Sequence, residues 1–256
     1  SHRHRHRAVG RAVREAGAEG VRREEAFVTV KIDPEWFGRE NSTLWLRRAL
    51  GDLGLEYVDM VMLHFAGKGG HNPPEAFQGC ATWAECRAET WLALSRARDA
   101  GLVRDLGVSN FGPRQIQGLT DLGAAPVAVA QLEYHPWIPE VHRSTVAFCQ
   151  QRGIAVQAYG SMGSTPKKDE FLTDERLRGI ASGHNRSVGQ VLLRWAVQRG
   201  VHVIPGSSQP DHMAENMDVF GWRLAEGEMA LLGSIPEQER RVQYKNKGWH
   251  QPDAIL

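Results

Sequence analysis

The stretch Tyr57-Val-Asp-Met-Val-Met-Leu-His64 is the clearest indicator of the fold. It is an almost unbroken apolar run, and such runs are typical of strands buried on both faces of a parallel sheet. Upstream of it, the apolar residues of 44–53 recur at helical spacing, and residues 27–31 form a short β-branched run. Downstream, a helical pattern begins near residue 88 and ends at Gly101. The sequence around this stretch therefore predicts strands that alternate with helices.

The same alternation continues to residue 220. Six strands are predicted, centred near residues 29, 60, 107, 130, 157 and 203. Strict alternation argues for an α/β fold with a parallel sheet, and roughly 250 residues is the usual size of a single (β/α) barrel. No change in composition marks a second domain, so we expect one domain over residues 1–256. Within it, we expect residues 1–7 to be disordered or an artefact and 221–256 to form a C-terminal helix and tail.

Composition and charge exclude several classes of protein. Lys and Arg number 31 against 30 Asp and Glu, which leaves a formal net charge of +1 and no basic excess for nucleic acid. The apolar runs fall far short of the roughly 20 residues that span a bilayer. The three cysteines, Cys80, Cys86 and Cys149, are too few for a disulfide framework and lack the C-x-x-C spacing of metal sites. We expect a reduced, cytoplasmic protein that binds neither nucleic acid nor membrane.

The residues suited to chemistry lie where the predicted strands end. In a parallel barrel the carboxyl ends of the strands form the catalytic face, so these side chains are expected to meet there. A metal-dependent hydrolase would need clustered His and Asp at these ends, and His64 and His135 alone do not supply such a cluster. No metal is therefore expected. The residues at the strand ends are Lys31, His64, Ser109, Asn110, Gln131 and Tyr159.

Several of these segments resemble the aldo-keto reductases. The Gly-Val-Ser-Asn-Phe of 107–111 and the Glu-Tyr-His-Pro-Trp of 133–137 are specific in combination. The resemblance runs from about Ala8 to Phe220 with the order of strands and helices intact. It implies a (β/α)8 TIM barrel that binds NADP(H) and reduces aldehydes or ketones to alcohols.

The resemblance implies four catalytic side chains, and this sequence matches two of them. Lys31 matches the family lysine that lowers the pKa of a tyrosine, and His64 matches the histidine that orients the carbonyl. The tyrosine itself would stand six residues before Val9, where this sequence has Arg3. Arginine stays charged and is a poor general acid. The family aspartate lies on a strand upstream of this sequence, so the catalytic Tyr and Asp are expected to be absent.

Matched to the family, the chain starts inside the second helix and lacks the first two barrel strands. Six strands cannot close at the geometry of eight, and the outer strands would keep unpaired edges. Three explanations stay open: a fragment or wrong gene model, a diverged protein whose edges pair with another chain, or a degenerate member without activity. For the full-length protein, a monomer is expected.

The resemblance also assigns a cofactor site. Ser109, Asn110 and Gln131 match residues that hydrogen-bond the nicotinamide carboxamide, and Tyr159 matches the aromatic that stacks on the ring. At the adenosine end, Gly206 stands in place of the family lysine and His212 in place of the arginine that holds the 2′-phosphate. NADP(H) is therefore expected, with NAD(H) also possible. Further cofactor residues are expected at Ser161, Ser207, His212, Glu215 and Asn216.

Four aromatic residues could form the wall of a pocket for a small-molecule carbonyl substrate. Each could equally be ordinary core packing, and the specific substrate cannot be read from them. They are Trp36, Phe65, Trp83 and, in the tail, Trp249. A second function also stays open: a catalytically impaired barrel that binds a nucleotide or a protein partner, favoured by Arg3, Gly206 and His212.

Overall fold

The computed structural model describes residues 2–68, 73, 80–163 and 168–236, with the side chains of 2–4, 168 and 169 left out. The described strands are β1 (Thr29–Ile32), β2 (Val58–Leu63), β3 (Val103–Ser109), β4 (Val127–Glu133), β5 (Ala155–Tyr159) and β6 (His202–Val203). The described helices are α1 (His2–Ala18), α2 (Arg39–Leu53), α3 (Trp83–Asp99), α4 (Pro113–Thr120), α5 (Glu140–Gln151), α6 (Lys168–Leu172), α7 (Glu175–Gly183), α8 (Val188–Gln198), α9 (Pro210–Met217) and α10 (Glu226–Gly233). The six predicted strands are confirmed, each within a few residues of its expected bounds.

The described chain divides into two compact units. One contains the described residues up to Val129, and the other those from Ala130 onward. Strand β4 begins in the first unit and ends in the second. In the first unit the strands lie in the order β1-β2-β3, and in the second β4-β5-β6, which is their order in the chain.

The register of the first unit brings the ends of β1 and β2 to the same edge. Strand β1 pairs in parallel with β2, with Lys31 opposite Met62 and Ile32 opposite Leu63. Strand β2 pairs in parallel with β3, with Met62 opposite Gly107. All six residues of β2 are buried, as its apolar sequence predicts. A Cβ at Gly107 would lie 2.8 Å from the carbonyl oxygen of Val129, so this close approach requires glycine.

Helix α1 corrects the expectation for the start of the chain. Residues 2–7, expected to be disordered or an artefact, are helical and continue into the predicted amphipathic segment. The helix packs closely on α2, because a Cβ at Gly10 would overlap the carbonyl oxygen of Leu53. The Arg14 guanidinium donates to that same oxygen at 2.9 Å. The contact between the two helices therefore combines a small residue with a charged hydrogen bond.

Helix α3 begins with a complete capping arrangement. The Thr82 hydroxyl accepts from the Glu85 backbone N–H at 3.2 Å, and the Glu85 carboxylate accepts from the Thr82 N–H, also at 3.2 Å. A disulfide joins Cys80 to Cys86 across this first turn. The expectation of three reduced cysteines is therefore wrong for two of them. The short spacing of six residues closes a small loop, which differs from the multi-bridge framework that composition excluded.

The second unit has a core that depends on aromatic packing. The ring of Tyr134 stacks on Trp195 with centroids 4.9 Å apart, and its hydroxyl accepts from Arg199 Nε at 2.9 Å. Burial raises the pKa of Tyr134, and the neighbouring Arg199 opposes that rise. Helices α6 and α7 were not predicted, although Leu177 and Ile180 of α7 are buried at helical spacing.

Among the described residues, no helix combines the length and the apolar character needed to cross a membrane.

Candidate active site

Lys31 and His64 lie at neighbouring strand ends of the first unit. Lys31 is the penultimate residue of β1, and His64 follows β2 directly. The His64 backbone N–H donates to the carbonyl oxygen of Ile32 at 2.9 Å, which extends the ladder by one residue. Parallel pairing in register therefore places both predicted catalytic residues at the carboxyl edge of this sheet, as expected from the sequence.

A carboxylate that the sequence patterns did not assign to the site, that of Asp33, contacts His64. Nδ1 of His64 is 2.7 Å from Oδ1 of Asp33, with side-chain exposures of 26% and 17%. Two signals could have found Asp33: it stands two residues after Lys31, the spacing of side chains on one face of a strand, and it follows β1 immediately.

The charge of Lys31 is set by two opposing effects. Burial lowers the pKa of Lys31 from 10.5 to about 8, and the negative charge of Asp33 acts in the opposite direction. Lys31 is therefore mostly protonated near neutral pH, and it is far closer to losing its proton than a surface lysine. A lysine poised in this way is typical of a functional site.

Ser109 ends β3, and Asn110, which follows it, contacts His64. The Asn110 side-chain amide donates to the His64 carbonyl oxygen at 3.0 Å and lies 3.2 Å from the Ser109 hydroxyl. Both side chains are buried, and Asn110 has a φ of 61°, in the left-handed region that most residues avoid. Strain of this kind is often retained at binding sites.

The aromatic residues proposed for a substrate wall differ in what they contact. Phe65 stacks on the His64 ring, with centroids 4.4 Å apart and planes 28° from parallel. Trp36 is half-buried, with the Arg48 guanidinium 5.4 Å from its ring centroid. Trp83 is only 2% exposed and packs edge to face on Phe37, which favours the packing alternative for this residue. Trp249 lies outside the described residues, as does the side chain of Arg3.

In the second unit, the predicted nicotinamide residues lie on neighbouring strands. The Gln131 side-chain amide donates to Oε1 of Gln157 at 2.7 Å. Tyr159 ends β5 and is half-buried, and its carbonyl oxygen accepts from the Tyr134 N–H at 3.2 Å. The Ser161 hydroxyl is buried and has no hydrogen-bond partner within the described part of the chain. A buried hydroxyl of this kind fits a site that a polar ligand completes.

The predicted adenosine residues are much more open. The Ser207 hydroxyl accepts from the Gln209 N–H at 3.0 Å just before α9. His212 and Glu215 are exposed on α9, and Asn216 is half-buried. A Cβ at Gly206 would meet nothing within 4 Å, so the backbone there has room for a long side chain. At the two family positions, Gly206 and His212, these residues offer one imidazole and no fixed cation.

Within the described ranges, no group of three or more His, Cys, Asp or Glu side chains could hold a metal ion.

Comparisons with known proteins agree on one family. Parallel strands with a lysine, a histidine and amide side chains at their carboxyl ends are typical of an enzyme of the α/β-barrel class. Residues 4–237 match the profile of the Aldo/keto reductase family. The chain belongs to the aldo/keto reductase family.

Relatives of known sequence support this assignment. Aldo-keto reductase family 1 member A1 of Sus scrofa is 36% identical over 246 residues, which are 91% of this chain and 75% of that protein. Member A1-A of Danio rerio is 33% identical over 248 residues, covering 92% of this chain and 76% of the relative.

Solved structures give the same result. A Bombyx mori aldo-keto reductase in complex with NADP superposes with a TM-score of 0.80 at 31% identity, covering 95% of this chain and 80% of that one. An aldo-keto reductase from a deep-sea metagenome superposes with a TM-score of 0.78 at 27% identity, covering 90% and 78%. The TIM-barrel fold class, the oxidoreductase class and NADP(H) as the family cofactor are therefore confirmed. The comparisons give no support to an inactive barrel.

Proposed function

We propose that this chain reduces an aldehyde or ketone to an alcohol with NADP(H), using Lys31 and His64. The observation that carries the proposal is the shared strand edge of these two residues in the first unit, with Asp33 against the His64 ring at 2.7 Å. A protonated lysine and an imidazole at one edge suit a carbonyl oxygen that gains negative charge as the reaction proceeds.

Each residue has a distinct part in this chemistry. The bound cofactor supplies the hydride. The Lys31 ammonium stabilises the negative charge that develops on the carbonyl oxygen and then donates the proton that completes the alcohol, which its lowered pKa favours near neutral pH. Lys31 regains its proton from solvent. The His64 imidazole hydrogen-bonds the carbonyl oxygen and orients it. Phe65, stacked on that imidazole, excludes water from one face of the ring.

Each unit, taken by itself, has polar groups suited to the cofactor. In the first unit, Ser109 and Asn110 suit the carboxamide because it both donates and accepts hydrogen bonds. In the second unit, Gln131 suits the carboxamide for the same reason, and Tyr159 suits the nicotinamide face. Further contacts would come from residues of the second unit, which are Ser161, Ser207, His212, Glu215 and Asn216. Because Gly206 and His212 replace two fixed cations, we expect a weakened preference for NADPH, with NADH competing.

Substrate and setting form part of the same proposal. We propose a small-molecule carbonyl substrate next to Phe65 and Trp36, with Trp249 as a further candidate for the pocket. A net charge of +1 gives no basis for binding nucleic acid or an anionic surface. A single-domain monomer in the cytoplasm, where reduced nicotinamide cofactors are consumed, agrees with this chemistry.

The test is steady-state oxidation of NADPH or NADH with a generic aromatic aldehyde. The wild-type protein should turn over, and Lys31→Met should lose nearly all activity while still binding cofactor in a fluorescence titration. Lys68→Met is the matched control, because Lys68 is an exposed lysine whose contact is an ion pair with Glu35 at 3.4 Å. Turnover that survives Lys31→Met would contradict the proposed site. Cofactor binding without any turnover by the wild type would favour the nucleotide-binding alternative.

A further inference from the structure

The contact between Asp33 and His64 places a negative charge directly behind the imidazole. The atoms involved are Oδ1 of Asp33 and Nδ1 of His64, 2.7 Å apart. Asp33 is held in place by the chain around it, because it precedes the short 3₁₀ turn Pro34–Trp36 and its carbonyl oxygen accepts from the Trp36 N–H at 2.9 Å. The carboxylate is therefore part of a defined turn.

The direction of this hydrogen bond fixes the proton on the ring. An ionised carboxylate can only accept, so Nδ1 must carry the proton and donate. Nε2 is then the nitrogen left for other partners. In the neutral ring, Nε2 would be an acceptor, and only the imidazolium has a second N–H with which to donate to a carbonyl oxygen.

Three other charged groups of this region have partners of their own, and one shares the Asp33 carboxylate. The Lys31 ammonium on β1 faces the same carboxylate and competes for its charge, as its coulombic interaction with Asp33 shows. Glu35 and Lys68 neutralise each other in an ion pair at 3.4 Å, and both are largely exposed. The Arg87 guanidinium of α3 donates to the Ala66 carbonyl oxygen at 2.8 Å. Asp33 is the one carboxylate shown in contact with the ring in the described part of the chain.

We propose that Asp33 is a positioning residue that orients the His64 ring and favours its imidazolium, so that Nε2–H donates to the substrate carbonyl oxygen. The role of Nε2–H toward a substrate carbonyl oxygen rests on the proposed carbonyl reduction. The pairing itself can be measured on the protein without cofactor or substrate.

The first experiment follows the imidazole nitrogens of His64 by heteronuclear NMR through a pH titration. In the wild type, the neutral ring should carry its proton on Nδ1. In Asp33→Asn, the amide oxygen can still accept from Nδ1, so the ring orientation is kept while the charge is lost. We expect the His64 nitrogen signals of this variant to change with pH at a lower pH than in the wild type, because the negative charge beside Nδ1 is lost.

The matched control is Glu35→Gln, which removes a nearby negative charge that pairs with Lys68 instead of His64. This variant should shift the His64 titration by much less. A neutral wild-type ring with its proton on Nε2 would overturn the proposal. Equal shifts in Asp33→Asn and Glu35→Gln would also overturn it, because any nearby negative charge would then affect the ring as much as the one in direct contact.

The second experiment measures kcat/KM against pH. Activity that needs the imidazolium falls as rising pH removes the ring proton, so Asp33→Asn should move this alkaline limb to lower pH. The variant should lose activity above the limb, by about tenfold for each pH unit that the limb moves, and recover most activity below it. An equal loss at every pH would show a merely structural role and overturn the proposal. If the wild type shows no turnover while the NMR shift is present, the proposed function fails and the Asp33–His64 pairing stands.

Discussion

The strand edge of the first unit and helix α9 of the second unit are built in opposite ways. At the strand edge, Lys31, Asp33 and His64 are held by parallel pairing and by hydrogen bonds of 2.7 to 2.9 Å. Helix α9 has no buried residue, no side-chain cap, and exposed His212 and Glu215 on its surface. The side chains proposed to act on the substrate are thus fixed by the backbone register of the strands. The side chains proposed to select the cofactor lie on an exposed helix surface.

This difference has a physical reason. Polar groups that act on developing charge must be preorganised, because reorganising them would add to the barrier. A contact with the outer part of a cofactor contributes affinity and tolerates a looser arrangement. Gln190 of α8 links to α9, because its amide donates to the Glu215 carbonyl oxygen at 3.2 Å and to that of Asp218, directly after α9, at 3.0 Å. Substitutions on α9 can therefore change cofactor specificity without disturbing buried residues of the core.

The largest expected effect comes from disturbing the strand register with a Cβ. Gly107→Val should lower the free energy of unfolding by about 3 kcal/mol, because the new side chain would meet the Val129 carbonyl oxygen at 2.8 Å and Met60 at 3.1 Å. Gly206→Val, where a Cβ meets nothing within 4 Å, is the matched control and should change stability little. Urea denaturation measures both. Equal losses would show that the two regions are equally constrained.

Restoring the missing cations should change cofactor choice without changing the fold. Gly206→Lys combined with His212→Arg should raise the affinity for NADPH relative to NADH by up to about 100-fold, or about 2.7 kcal/mol, through charged contacts to the 2′-phosphate. Dissociation constants for both cofactors measure this ratio. The wild type should prefer NADPH by less than about 100-fold. A stronger wild-type preference would mean that other residues already hold the phosphate.

The buried charge of Lys31 should lower the free energy of unfolding near neutral pH, although the same charge is proposed to serve the reaction. Its folded pKa of about 8 lies below its unfolded value of 10.5, so below pH 8 the folded state carries a charge that burial disfavours. Lys31→Met should therefore be more stable than the wild type near neutral pH by about 2 kcal/mol, a value discounted for partial solvent access. The unfolded state binds more protons between these two pKa values, so wild-type stability rises there and the difference disappears.

Urea denaturation of the wild type and of Lys31→Met from neutral pH to pH 10.5 tests which of the two is more stable. The difference between them removes the contribution of other titrating groups. A variant that is less stable than the wild type at neutral pH would show that contacts of the Lys31 ammonium outweigh the cost of burying it.

The position of this strand edge can be predicted from the sequence, but the charge interactions at the edge cannot. Apolar runs place β1 to β3, and parallel pairing then requires Lys31 and His64 to share an edge. Asp33 was missed because a side chain two residues beyond a lysine acquires its role only when β2 brings His64 against it. The Cys80–Cys86 disulfide was missed because counting cysteines gives no distance, whereas the α3 cap brings the two together. Helices α6 and α7 were missed because their apolar positions are few.

Ser161 tests whether the second unit also contains a preorganised group. Its hydroxyl is buried and bonds to no described residue, so Ser161→Ala removes no hydrogen bond within that part of the protein. Stability should stay the same or rise by up to about 1 kcal/mol, since a desolvated polar atom is lost. The NADPH dissociation constant should rise about fivefold, which corresponds to one ordinary hydrogen bond. Thermal unfolding with and without NADPH separates the two effects. A loss of stability in the protein without cofactor would show that Ser161 serves the fold, and would leave the strand edge of the first unit as the better preorganised region.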